Sequence, residues 1–316
     1  MPRRAGFGLS RILITGASGM LGSTLASVLH SKDIEFVATD IDLSPPGTEL
    51  LDVRDFAAVD ETVTEHKPSL VIHLAAETNV ERCEAEPSHA YRTNTIGTQN
   101  VAVSCNRHGV PLVYVSTAGV FNGTKAEPYT EFDQPDPINI YGKSKYQGEL
   151  IVRALVARSF IARAGWMIGG KERDKKFVGK IVKQLGEGRR RIYAVTDKLG
   201  TPTYTYDFCQ ILLKLLDTSY WGTYHLACKG SGTRFDVAAH IIKTLGLDDR
   251  VELIGTNSDH FKLEYPAPRP ASESMVNQML ELRGMNSMRD WKDSLTEYLN
   301  SYHSIELQQV HPTNAR

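Results

Sequence analysis

Arg11-Ile12-Leu13-Ile14-Thr15-Gly16-Ala17-Ser18-Gly19-Met20-Leu21-Gly22, running on into STLASVLHSK, is the stretch that decides the fold. Ile12 to Ile14 is a short apolar run of strand type, and the segment after Gly22 has helical period. A strand, a glycine turn and a helix in that order turn a glycine pattern into a phosphate-site expectation. Gly16 permits a tight turn, Gly19 lets the backbone approach a pyrophosphate, and Gly22 lets the helix pack on the strand. Amides at the helix start, Ser18 to Leu21, then face the phosphates along the helix dipole. The spacing is G-x-x-G-x-x-G rather than G-x-G-x-x-G.

Outward from this unit, a second strand over 35–39 ends at Asp40, where a carboxylate accepts hydrogen bonds from an adenosine ribose. Asp42 follows, and no basic residue stands close by in sequence, so a 2′-phosphate should be repelled. NAD(H) is therefore expected over NADP(H), with the latter permitted. Next come Leu51-Asp52-Val53-Arg54-Asp55, a helical stretch to His66, and a strand over 68–76 that closes on Ala75-Ala76. That pair of small residues suits close packing against a flat cofactor. His73, inside the apolar run, reads as a hydrogen-bonded core histidine. A helix carrying Asn94 and a strand over 112–117 continue the alternation. Strands alternating with helices imply an α/β fold, a parallel doubly wound sheet with ligands beyond the strand C-termini.

The strand LVYVST ends in Ser116 and Thr117, and INIYGKSKYQGE places Tyr141 and Lys145 four residues apart at a helix start, on one face. A phenol beside an ammonium is a proton-transfer device, because the positive charge draws the tyrosine from its reference near ~10 toward working pH. Thr117 can bind the oxygen of a reacting carbonyl. With 13 tyrosines in the chain, roughly one such spacing arises by chance, so the weight comes from the glycine turn upstream.

The 316 residues suit one large α/β domain or two coupled ones, and 41% hydrophobic with 23% charged residues is ordinary for a globular protein. A net charge of −1 argues against nucleic-acid or membrane surfaces as partners. Cys83, Cys105, Cys209 and Cys228 are scattered and read as reduced thiols. No apolar leader follows Arg3-Arg4, so a cytoplasmic protein is expected.

Together, the glycine turn, Ser116-Thr117 and Tyr141-x-x-x-Lys145 resemble the extended short-chain dehydrogenase/reductases, and within them the dTDP-4-dehydrorhamnose reductase family. The matching stretches run nearly end to end: ITGASGMLG at 14–22, LAAETNVERCEAEP at 74–87, VSTAGVFNG at 115–123 and PYTEFDQPDPINIYGKSKYQGE at 128–149. ARAGWMIGG at 162–170, KFVGKIVKQL at 176–185, DKLGTPTYTYDF at 197–208, GTYHLACKGSGTRFDVAAHI at 222–241 and YPAPRP at 265–270 extend it.

The resemblance implies a Rossmann-type domain over 1–165, rejoined by 201–227, and a smaller substrate domain over 166–200 and 228–316. It implies Thr117, Tyr141 and Lys145 as catalytic hydroxyl, proton donor and modulator. Gly16, Ser18, Gly19, Met20, Leu21, Asp40, Asp52, Val53, Ala75, Ala76, Asn94, Tyr141 and Lys145 would hold the dinucleotide. Thr78, Ala118, Trp166 and Arg269 would face a nucleotide sugar. The implied activity is NAD(P)H-dependent reduction of a nucleotide-activated 4-keto-6-deoxyhexose. A nucleotide-sugar epimerase or dehydratase, and a regulatory subunit like the beta subunit of methionine adenosyltransferase, are the rival readings. A homodimer is allowed, and no metal ligands can be placed. Two departures fall at the sugar site: Ala118-Gly119 where the family carries Asp-Tyr, and Ser272-Glu273 where it carries Asn-Ser.

In the second half, Lys171, Arg173, Lys175, Lys176, Lys180 and Lys183 crowd one segment before Arg189-Arg190-Arg191. Either they form a solvated face or one or two of them clamp a diphosphate. The 265–270 loop is stiff and placed to close over a ligand. Trp291 and Leu295 read as core, and 305–316 as a disordered tail.

Overall fold

The computed structural model describes residues 10–302, so the expected tail lies outside the described residues. The chain begins with β1 (Ile12–Thr15), α1 (Met20–His30), β2 (Phe36–Asp40), β3 (Thr48–Leu50), α2 (Phe56–His66) and β4 (Leu70–His73). Two short helices, α3 (Val80–Ala85) and α4 (Pro87–Tyr91), lead through a π-helical turn at 92–96 into α5 (Gly97–His108). Then come β5 (Leu112–Thr117), α6 (Ile140–Leu155) and β6 (Ser159–Ala164).

After β6 the elements shorten: β7 (Trp166–Ile168), α7 (Phe177–Gly186), β8 (Arg191–Val195), β9 (Leu199–Gly200) and β10 (Pro202–Tyr204). The chain returns through α8 (Thr205–Leu216) and β11 (Gly222–His225), then adds β12 (Gly232–Thr233), α9 (Arg234–Thr244), β13 (Glu252–Thr256), β14 (Ser272–Glu273), α10 (Gln278–Leu282) and α11 (Trp291–Tyr302).

Seven strands form one parallel sheet in the order β11-β6-β5-β4-β1-β2-β3. From β1 the chain steps outward to β2 and β3, then returns to β4 on the other side of β1. The crossover direction reverses there, so a crevice opens beyond the C-terminal ends of β1 and β4. The parallel, doubly wound sheet expected from the sequence is present, and the glycine turn sits at its switch point.

Period-two burial explains why these strands are apolar throughout. Ile12, Ile14, Ile72 and Val113 join the core under α1 and α8, while Leu13, Val71, Leu112 and Tyr114 join the core under α2, α5 and α6. The first core continues without a break into Ile181, Leu185, Ile192, Ile241, Trp291 and Leu295. Trp291 and Leu295 are core residues, as expected. A capping box, Thr233 with Asp236, starts α9. Although the alternation reads as weak after Trp166, β8 and β13 pair in parallel across α9. Among the described residues, no helix is long and apolar enough to cross a membrane.

Candidate active site

Gly16 adopts φ +74°, and a Cβ there would stand 2.5 Å from the Ala75 amide nitrogen. The turn therefore rests on the exit of β4 and brings Ala75 and Ala76 to the crevice. A Cβ on Gly22 would meet the Gly16 and Ala17 carbonyls at 2.5 Å, so that glycine seats α1 on the turn. Gly19 differs: a Cβ there meets nothing nearer than the Gly16 carbonyl at 3.4 Å, leaving open space before its backbone. The helix starts at Met20, inside the glycine motif, and no side chain caps it. Its first amides, at Met20 and Leu21, are left for an external acceptor. A pyrophosphate fits this cradle.

Asp40 ends β2 beside that cradle. One carboxylate oxygen accepts the Ser18 amide at 2.9 Å and the other the Asp42 amide at 3.0 Å. Each oxygen keeps a lone pair for a ribose hydroxyl. The Leu51 amide donates to the Asp40 carbonyl, which carries Asp52 and Val53 to the same edge. There Asp52 is paired with Arg54, and buried Val53 packs against the start of α5. The expectation that no basic residue approaches Asp42 fails. Arg173 donates to the Ser18 carbonyl, its guanidinium lies 4.0 Å from the Asp42 carboxylate, and Lys175 also lowers the Asp42 pKa. Arg173 arrives through tertiary packing, invisible to local sequence.

On the other wall, Thr117 closes β5 and Tyr141 and Lys145 stand one turn apart on α6. A Cβ on Gly142 would lie 2.1 Å from the Gly119 carbonyl, so only glycine lets α6 start this close to β5. The Thr117 hydroxyl accepts the Gly119 amide at 3.0 Å and stands close enough to the Tyr141 phenol to favour its charged form. Strand alternation turns Ser116 the opposite way, into the buried Glu149 carboxylate at 2.6 Å.

The expected drop in the Tyr141 pKa is not found. Burial pushes the phenol up to about 12, against the lowering influence of the nearby Thr117 hydroxyl. Burial also pushes Lys145 down to about 7, against the Glu149 charge. At each group desolvation outweighs the contact that favours its charged form. The free protein thus holds Tyr141 as a protonated phenol, ready to give its proton.

A buried scaffold supports this pair. Glu149 takes a two-pronged bond from Arg163, at 2.8 and 2.7 Å, and Arg163 reaches His225 at 3.4 Å. His73 bonds Thr15 and Thr98 at 2.7 and 3.0 Å, and burial drops its pKa to about 3, the core histidine expected. Asn94 does not fit a direct cofactor contact through its side chain. Its oxygen accepts the Glu77 amide, and its nitrogen donates to the Glu77 carbonyl and Ser144, all committed within the fold. It ties the 75–78 loop to α6.

On the substrate side, Trp166 Nε1 donates to Glu273 at 2.7 Å, and the Arg234 guanidinium carbon lies 3.6 Å from the indole centroid. Arg269 bonds Glu81 on α3 at 2.6 Å and its near neighbour Ala267, bracing the 265–270 loop. Ala118 does not reach a ligand: it is buried with Val120, Phe121 and Tyr129, and its carbonyl accepts the Phe121 amide. Thr78 accepts Lys176 at 3.0 Å, while Lys180 bonds the Tyr265 hydroxyl at 2.7 Å. The basic segment thus divides: Arg173, Lys176 and Lys180 reach the crevice rim, and Arg189 and Arg191 pair with Glu187 and Glu252 outside it. Arg234 escaped the sequence reading altogether, as nothing local sets it apart from other charges at a helix start.

The family model described as RmlD substrate binding domain matches residues 10–304. The spore coat polysaccharide biosynthesis protein SpsK of Bacillus subtilis is 32% identical over 92% of this chain and 97% of its own length. A dTDP-4-dehydrorhamnose reductase from Clostridium acetobutylicum superposes with a TM-score of 0.84 at 37% identity, covering 92% of this chain and 99% of that one. A dTDP-4-dehydrorhamnose reductase from Bacillus anthracis in complex with NADP gives 0.84 at 35% identity, with the same coverage. The chain belongs to the RmlD substrate-binding domain family.

Proposed function

We propose that this protein reduces the keto group of a nucleotide-activated 4-keto-6-deoxyhexose, using NAD(P)H. The observation that carries this reading is the Thr117 hydroxyl beside the Tyr141 phenol, with Lys145 one turn away, across the crevice from the glycine cradle. Relatives named dTDP-4-dehydrorhamnose reductase support the substrate class. The bound dinucleotide supplies a hydride to the carbonyl carbon.

The remaining work falls to the chain. Thr117 donates a hydrogen bond to the carbonyl oxygen, and Tyr141 gives that oxygen its proton as negative charge develops. Lys145, when charged, stabilises the phenolate left behind. Holding the carbonyl at the cradle supplies much of the rate. The dinucleotide lies along the described part of the 1–165 unit with 201–227, and the sugar nucleotide along 166–200 and the described part of 228–316, which ends at 302. Asp40 favours an unmodified ribose while Arg173 offsets the repulsion of a 2′-phosphate, so both NADH and NADPH serve.

Net nicotinamide oxidation with a panel of nucleotide 4-keto-6-deoxyhexoses tests the reading. Stoichiometric oxidation supports it. A sugar nucleotide converted with no net oxidation would point to an epimerase or dehydratase cycle instead.

A further inference from the structure

Glu273 is a carboxylate that meets both Trp166 and the Thr117 turn. Its Oε2 accepts the Trp166 indole N–H at 2.7 Å, which fixes the side chain. Its Oε1 stands 3.4 Å from the point where a Gly119 Cβ would sit, and the Thr117 hydroxyl is 3.4 Å from that same point. No other hydrogen bond to the Glu273 side chain is made by the described residues. Gly119 has no positive φ and needs no special backbone freedom. It leaves room for the glutamate. The two sequence departures, at 118–119 and 272–273, therefore meet in space: one wall gives up a side chain and the other supplies a carboxylate.

Trp166 is also less open than a stacking platform would be. The ring packs on Gly200, where a Cβ would come within 2.2 Å of it, and the Arg234 guanidinium lies 3.6 Å from its centroid. Arg234 has no hydrogen-bond acceptor among the described residues, and Glu273 is the charge that most favours its cationic form. The pocket wall is thus polar: a carboxylate oxygen facing the reacting hydroxyls, with a guanidinium behind it.

We propose that Glu273 is the specificity-determining residue of the sugar pocket, its Oε1 accepting hydrogen bonds from the ring hydroxyls at C3, beside the reacting C4 carbonyl, and at C2, one carbon further. This deepens the reductase reading and rests on it. The preferred substrates are sugars keeping the hydroxyls at C2 and C3; deoxygenated rings leave the carboxylate without a partner.

The test compares kcat and KM of wild type, Glu273→Gln and Glu273→Asp with a nucleotide 4-keto-6-deoxyhexose and its 2-deoxy and 3-deoxy analogues. Wild type should favour the hydroxylated sugar by about tenfold or more over at least one analogue. Both variants should lose that preference, mainly through KM, with NADPH affinity unchanged. Glu273→Asp covers the case in which Glu273→Gln does not fold, because it keeps the charge and shortens the reach. Turnover with the same discrimination in wild type and variants overturns the inference alone. A wild type that turns over no keto-sugar nucleotide overturns the reductase reading, and this inference with it.

Discussion

The Lys145 ammonium nitrogen lies 4.1 Å from the centroid of the Tyr114 ring, on the strand that ends in Thr117. An aromatic face attracts the charge but hydrates it poorly, and burial pushes Lys145 down to about 7. The base form is therefore within reach at neutral pH. Below about pH 7 the charged lysine can stabilise the Tyr141 phenolate, and above it the charge is lost. We predict that kcat/KM for reduction is level at lower pH and falls above about 7, read from a pH–rate profile. Lys145→Met should remove this limb; a wild-type profile flat well above neutrality would count against the assignment.

Cofactor choice should respond to two residues in opposite directions. Asp40→Ala removes the ribose acceptor and should shift the NADH/NADPH ratio of kcat/KM toward NADPH. Arg173→Ala removes the cation nearest Asp42 and should shift it toward NADH. Each change is expected at about tenfold, the scale of one charge-assisted hydrogen bond. Equal losses with both cofactors would remove these residues from the ribose site.

The Glu149–Arg163 pair is fully buried, with side-chain exposures of 0% and 1%. Arg163→Met should cost about 3–5 kcal/mol in denaturant unfolding, because Glu149 is left charged without its main partner. The double variant Glu149→Leu with Arg163→Met should recover most of that loss. A double variant no better than the single would show the damage to be packing rather than charge.

His73 and His225 are both driven by burial to about 3, so they stay neutral in the folded protein while an unfolded chain protonates them below about 6.5. The unfolded state then binds more protons, and stability falls with falling pH from about 6.5 toward 3. Each histidine adds about 1.4 kcal/mol per pH unit to that slope. Asp174, lifted by burial to about 6, works the other way between its ordinary value and there. The check is the difference between wild type and His73→Asn: the variant's slope should be shallower by one histidine. Parallel curves would contradict it.

Local spacing made much of this molecule legible. The glycine turn announces itself because Gly16, Gly19 and Gly22 meet separate demands within one strand-turn-helix unit. Tyr141 and Lys145 are legible because helical period alone puts them on one face. What tertiary packing decides was not legible. Arg234 reaches the crevice from a segment that no window of sequence joins to it, and although Arg173 and Glu273 stood out, their partners Asp42 and Trp166 are set by packing alone. The sense of the Tyr141 shift was read backwards because burial dominates it and the nearby charges, Cys83 and Glu273, raise it as well, and neither has a local signature. Ala118 and Asn94 occupy motif positions, yet one is sealed in the core and the other spends its amide on the 75–78 loop and α6.

Single-turnover reduction by wild type and Tyr141→Phe, measured beside NADPH affinity, tests the central claim most directly. The account predicts at least about a hundredfold loss of rate with nearly unchanged NADPH binding, since the hydroxyl donates a proton and Thr117 holds it in place. Undiminished reduction by Tyr141→Phe, or a parallel collapse of NADPH binding, would contradict it.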